Sequence, residues 1–67
     1  MRNTLRVQRA IREISQEELA VAMSVSRQTI NAIEVKKYVP SGLLCLRLAK
    51  YFNMTVEELF IMEEEDL

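Results

Sequence analysis

Histidine and tryptophan are absent from this 67-residue chain, and glycine, proline and cysteine occur once each. One thiol and no imidazole cannot make an intrachain disulfide or a zinc-type ligand set, so no metal and no cofactor is expected. The lack of histidine and of a glycine-rich loop also removes the usual nucleophile–base and acid–base pairings, and the chain is expected not to be an enzyme. The longest apolar run, Leu19 to Met23, has five residues. That is too short for a signal peptide or a membrane span, and the N-terminal segment is dense in Arg, which predicts a cytoplasmic protein with no membrane partner. Strand signals are missing too. With 49% hydrophobic and 28% charged residues, the composition describes one compact, mostly helical domain spanning residues 1–67 and not a disordered chain. At this length folding buries only about 60% of the unfolded surface, a thin margin that a partner subunit would widen. Cys45 falls in an apolar helical pattern and reads as an inert core thiol in preference to a redox sensor.

What is present is unevenly placed. The formal net charge is -1, yet residues 1–56 carry all nine Lys and Arg against four Glu, a net of +5, and the last eleven residues carry six carboxylates. A basic body with a short acidic C-terminal tail suits a nucleic-acid-binding face held away from an acidic end; the alternative for "EEED" alone is a solvated, frayed tail.

Caps and periodicity predict five helices. The first runs from about Thr4 to Glu13, with Asn3 in the cap position. Ser15 and Glu18 form an S-x-x-E capping box that opens the second, in which Leu19, Ala20 and Met23 share a face. Ser26 caps a third to about Val35, and Ser41, after Pro40, caps a fourth to about Phe52 in which Cys45, Leu48, Ala49 and Phe52 recur at helical spacing. Thr55 and Glu58 form a second capping box that opens a fifth helix, with Val56, Leu59 and Phe60 turned inward.

At 100° per residue the third helix puts Ile30 and Ile33 on one side and Arg27, Gln28, Asn31, Ala32 and Val35 on the other. The outer side offers a guanidinium and two primary amides, the groups whose donors and acceptors match base edges in the DNA major groove, where an ordinary solvent face would show Glu and Lys pairs. Ala20 is small where a second helix must cross closely, and Met23-Ser24-Val25-Ser26 is a short turn with Val25 available to plug its corner. This is the geometry of a helix-turn-helix. From "RVQRAIREISQEELA" through "VSRQTINAIE" to "VPS" and "LAKYFNMTVEELF", nearly the whole chain resembles the Cro and phage-repressor type of helix-turn-helix protein, the XRE family.

The resemblance implies an all-α, five-helix, lambda-repressor-like domain that binds double-stranded DNA. It implies that Arg27, Gln28, Asn31 and Ala32 face base edges, that Gln16, Ser26 and Thr29 lie near phosphate, and that Lys36, Lys37 and Tyr38 form a loop touching the backbone. It also implies a structural ion pair between Arg9 and Glu34. Two positions depart from the family pattern: Ser24 and Lys36 stand where glycine is common. If either backbone stays left-handed, the side chain costs on the order of 1 kcal/mol.

The expected function is that of a transcriptional regulator, a repressor in the first instance, which binds a palindromic operator as a homodimer and is nucleoid-associated when on DNA. The rival is an antitoxin-like protein-interaction module on the same fold. No small-molecule ligand is indicated. For the dimer, Leu43 and Leu46 lie beside Arg47 and Lys50 away from the inner face of the fourth helix, and Ile61 and Met62 fall away from the inner face of the fifth. These four residues form the expected interface, since the family commonly pairs through its C-terminal helices and so sets two recognition helices about one DNA turn apart.

Overall fold

In the computed structural model, which describes residues 1–67, five helices run in chain order: α1 (Leu5–Ile11), α2 (Gln16–Met23), α3 (Arg27–Glu34), α4 (Gly42–Phe52) and α5 (Val56–Leu59). Four of the five start where a side-chain oxygen accepts a backbone N–H three residues on. Ser15 Oγ accepts from Glu18 at 3.0 Å, Ser26 Oγ from Thr29 at 3.1 Å, Ser41 Oγ from Leu44 at 3.2 Å and Thr55 Oγ1 from Glu58 at 3.2 Å. Both capping boxes are closed by a return bond in which the cap residue's N–H donates to the glutamate carboxylate. Such caps contribute about 1 kcal/mol each by satisfying donors that the first turn leaves unpaired.

Helix ends share a device that composition conceals. Glu13, Ser24, Lys36 and Asn53 all have left-handed backbones, with φ between 54° and 67°, and none is glycine. After each, the next residue's N–H reaches back five positions: Ile14 to Arg9, Val25 to Ala20, Lys37 to Ala32 and Met54 to Ala49, all at 2.9 to 3.0 Å. This is the six-to-one closure of a Schellman end, which normally seats an apolar residue just beyond the helix. Ile14, Val25 and Met54 are seated in that way against the core. Lys37, in the corresponding place after α3, is exposed.

The core lies where α2, α3, α4 and α5 meet the start of α1. Leu5, Leu19, Ile30, Ile33, Leu48, Phe52 and Leu59 are fully enclosed, with Ala20, Met23, Leu44, Ala49 and Phe60 beside them. Ala20 is 1% exposed, small enough for α3 to cross α2 closely. Leu44 takes a core position on α4, whereas Cys45 is half-buried at the margin, its Sγ directed at the Pro40 carbonyl at 3.8 Å and its thiol pushed up by burial.

Three expectations are corrected. The first helix is shorter than Thr4–Glu13, because Glu13 turns left-handed; nor does Asn3 occupy its cap. Asn3 instead accepts from Leu5 N at 3.3 Å and donates from Nδ2 to the Ile33 carbonyl at 2.8 Å, tying the N-terminus to the last turn of α3. The fifth helix stops at Leu59. Phe60 and Ile61 form a strand, β2, antiparallel to β1 (Arg2–Asn3), with Ile61 opposite Arg2 and Phe60 opposite Asn3. Thr4 ends the helix: its N–H donates to the Leu59 carbonyl at 2.9 Å and its hydroxyl to the Glu58 carbonyl at 3.1 Å, so two carbonyls that a longer helix would use are taken. Ile61 and Met62 therefore do not lie on a helix.

The acidic tail is folded onto the body. Asp66 caps a short 3-10 turn at Glu64–Asp66 by accepting from Glu63 N at 2.8 Å. Glu63 Oε1 meets Lys36 Nζ at 3.1 Å, and the Met1 amino group lies 2.9 Å from Asp66 and 3.2 Å from Glu63. No helix is long and apolar enough to cross a membrane.

Candidate nucleic-acid interface

The α2–turn–α3 unit positions the residues singled out in the sequence. Ser24 is left-handed at φ 59°, so the turn keeps the shape that glycine would favour, and Val25 packs into its corner. Ile30 and Ile33 anchor α3 from beneath, leaving Arg27, Gln28 and Asn31 exposed along one side with Ala32 half-buried between them and the loop. Ser26 and Thr29 sit at the N-terminal end of this side. Their hydroxyls are 2.9 Å apart, so the pair has a lone pair and a proton committed internally.

Behind α3 lies a buried carboxylate. Glu34, with a side chain 1% exposed, receives Arg9 in a two-pronged contact: Nε to Oε2 at 2.6 Å and Nη2 to Oε1 at 3.0 Å. Arg9 also donates to the Ile14 carbonyl at 2.9 Å, so one guanidinium closes the end of α1 and holds the end of α3. Burial pushes the Glu34 carboxyl up, but the hydrogen bonds from Arg9 and Gln16 and the charges of Arg9 and Arg6 outweigh it and hold the group below the ordinary carboxylate range. Arg12, by contrast, serves the scaffold. Its guanidinium stacks over Phe52 at 4.9 Å and donates to the Phe52 carbonyl at 2.8 Å, where a cation complements the C-terminal end of α4.

Gln16 is drawn into the same cluster. Its Nε2 donates both to Glu34 Oε1 at 3.0 Å and to Asn31 Oδ1 at 3.1 Å. Both amide hydrogens are thereby used within the protein. This link between the first residue of α2 and the middle of α3 was not legible in the sequence, where fifteen positions separate the two; only the matching polarity of Gln, Asn and Glu around one apolar crossing hinted at it.

In the loop after α3, Lys36 is left-handed at φ 67° and its ammonium is paired with Glu63, while Lys37 and Tyr38 are exposed. Arg27 and Lys37 take part in no ion pair. Of the residues expected at a dimer interface, Leu43, Leu46 and Met62 are exposed, by 68%, 62% and 62%, and Ile61 is half-buried in β2.

A family model described as helix-turn-helix matches residues 5–59, most of the chain. An uncharacterized HTH-type transcriptional regulator of Methanocaldococcus jannaschii is 46% identical over 66 residues, covering 98% of this chain and all of the relative. The uncharacterized HTH-type transcriptional regulator YgzD of Bacillus subtilis matches with the same identity and coverage. A regulator of the same description from Archaeoglobus fulgidus is 43% identical over 67 residues, covering all of this chain and 96% of its own.

Proposed function

Because the chain belongs to the helix-turn-helix family of DNA-binding transcriptional regulators, we propose that it represses transcription by binding a palindromic duplex operator as a homodimer, in the cytoplasm and on the nucleoid. The observation that carries this reading is the outer side of α3, where a guanidinium and two amides stand exposed over an isoleucine anchor. Arg27, Gln28 and Asn31 read bases, with Ala32 close enough to bear on a thymine methyl. Ser26 and Thr29 approach phosphate at one end of the helix, and Lys37 and Tyr38 at the other. Lys37 in an apolar residue's usual place supports this role, since the helix end gives up a core contact to display a cation. Lys36 reaches phosphate once Glu63 releases it. Gln16 contributes through its position at the start of α2, where backbone N–H groups are free for an anion.

Selecting sites from random duplex DNA with the purified protein tests the proposal, and a palindrome is the expected product. Gln28→Ala should lower affinity for that site by about 1–3 kcal/mol and leave nonspecific binding nearly unchanged, whereas Lys37→Ala should weaken all sequences alike and flatten the salt dependence. Equal losses on cognate and random DNA for Gln28→Ala would remove it from the reading face.

The dimer is proposed to form through Leu43 and Leu46 of α4 with Ile61 and Met62 at the β2 edge. Leu46→Asp is the better probe, because Leu46 is exposed and Ile61 is half-buried in strand pairing. A wild type that sediments as a dimer and a folded Leu46→Asp that sediments as a monomer, with most operator affinity lost, are expected. A monomeric wild type at tens of micromolar would overturn the interface.

A further inference from the structure

We infer that Gln16 and Glu34 are positioning residues that turn the Asn31 amide so that its NH2 end alone faces outward, making Asn31 a reader of guanine and not of adenine. The inference rests on the DNA-binding reading above and concerns what that face selects.

Each donor and acceptor in this cluster is forced by the one before it. An ionised carboxylate only accepts, so the Gln16 atom 3.0 Å from Glu34 Oε1 must be the amide nitrogen. That nitrogen has one hydrogen left, and it points to Asn31 at 3.1 Å, so the Asn31 atom there must be the carbonyl oxygen. The polarity of a buried charge is thus relayed through two amides to the surface of α3. Asn31 Nδ2 makes no hydrogen bond within the protein, and it is the end left for a ligand.

Asparagine ordinarily reads adenine with both ends of the amide, Oδ1 accepting from N6 and Nδ2 donating to N7. That pairing needs the two ends side by side facing the base. With Oδ1 turned toward α2, a lone NH2 finds its best partners where two acceptors stand side by side, at N7 and O6 of guanine, whereas O4 of thymine comes only beside the N6 amino group of its paired adenine. Adenine would set its own N6 hydrogens beside the unmatched donor. The same count leaves Gln16 no side-chain proton for a phosphate, so its side chain acts through Asn31.

Site selection from random duplex DNA is run with wild type, Asn31→Ala and Gln16→Ala, each checked for native helicity and melting. The base pair read by Asn31 is the one whose preference disappears in Asn31→Ala. A G·C pair at that position in the wild type is expected, and an A·T pair there, in either orientation, overturns the inference. Gln16→Ala releases Oδ1, and the ratio of adenine to guanine affinity at that position should rise roughly tenfold, the scale of one bidentate contact. An unchanged ratio removes Gln16 and Glu34 as positioning residues. Should Gln16→Ala not fold, the wild-type preference alone decides. If Asn31→Ala alters no position while other positions stay selective, the inference fails and the DNA reading stands; if no sequence is enriched at all, the DNA reading itself fails.

Discussion

Helices α2 and α5 begin alike and end differently. Each opens with a complete capping box, Ser15 with Glu18 and Thr55 with Glu58, and each carries two glutamates in its first turn. Yet α2 runs eight residues to a left-handed Ser24, and α5 runs four before Phe60 swings to φ -121°, ψ 123°. A cap nucleates a helix and says nothing about its length. The end belongs to whatever claims the last carbonyls, which in α2 is the chain's own Schellman closure and in α5 is Thr4 from the far end of the sequence. The α2 side is therefore specified locally and braced by a buried charge, and the α5 side is specified by contact.

The largest effects should come from removing each side's brace. Glu34→Ala leaves Arg9 without its charged partner in a largely enclosed site and should cost about 3–5 kcal/mol, with the Arg9→Ala, Glu34→Ala double variant losing less than the two single losses combined. Strictly additive melts would show that the two do not act as a pair. On the other side, Phe60→Ala removes a ring that is 6% exposed and should cost about 3–5 kcal/mol, with protection of the Thr4 amide from hydrogen exchange lost first.

The pH dependence separates the sides next. The folded Glu34 carboxyl lies below its ordinary value of 4.5. Its contribution is therefore complete above that range and is lost as pH falls through the lower folded value. Glu34→Gln should remove that part of the acid limb while the rest of the profile persists; an unchanged acid limb in urea titrations would contradict it.

Capping substitutions are smaller, about 1 kcal/mol for Ser15→Ala or Thr55→Ala, and they sharpen the contrast. Ser15→Ala should fray the α2 amides alone, whereas Thr55→Ala should also loosen β1, because its helix presents the carbonyls that Thr4 uses. The smallest effect concerns the tail. Glu63→Gln frees Lys36 and should raise affinity for nonspecific duplex severalfold at low salt, with the gain vanishing as salt rises.

The same contrast explains what was readable in advance. Serine and threonine caps, the isoleucine anchor of α3 and the small Ala20 are local or periodic signals, and each lies on the element the pattern indicated. Asn53 carried a signal for a left-handed end, since its side chain tolerates that conformation, whereas Glu13 carried none. The two-residue strands were illegible because they are too short to alternate, and nothing near Phe60 mentions Arg2. On the interface, residue types on α3 could be read from its wheel. The engagement of Gln16 by Asn31 and of Lys36 by Glu63 could not, since each joins side chains from separate elements.

The register of β1 on β2 has a mechanical corollary. Arg2 faces Ile61 and Asn3 faces Phe60, so residues before Arg2 and after Ile61 emerge side by side. Tension applied through those two ends would load the strand bonds one after another, as in a zipper, and not all at once in shear. Under an optical trap the molecule should yield first at this seam at low force, releasing α5, and only afterwards, at a higher force, surrender the four helices that Glu34 and the isoleucines hold together.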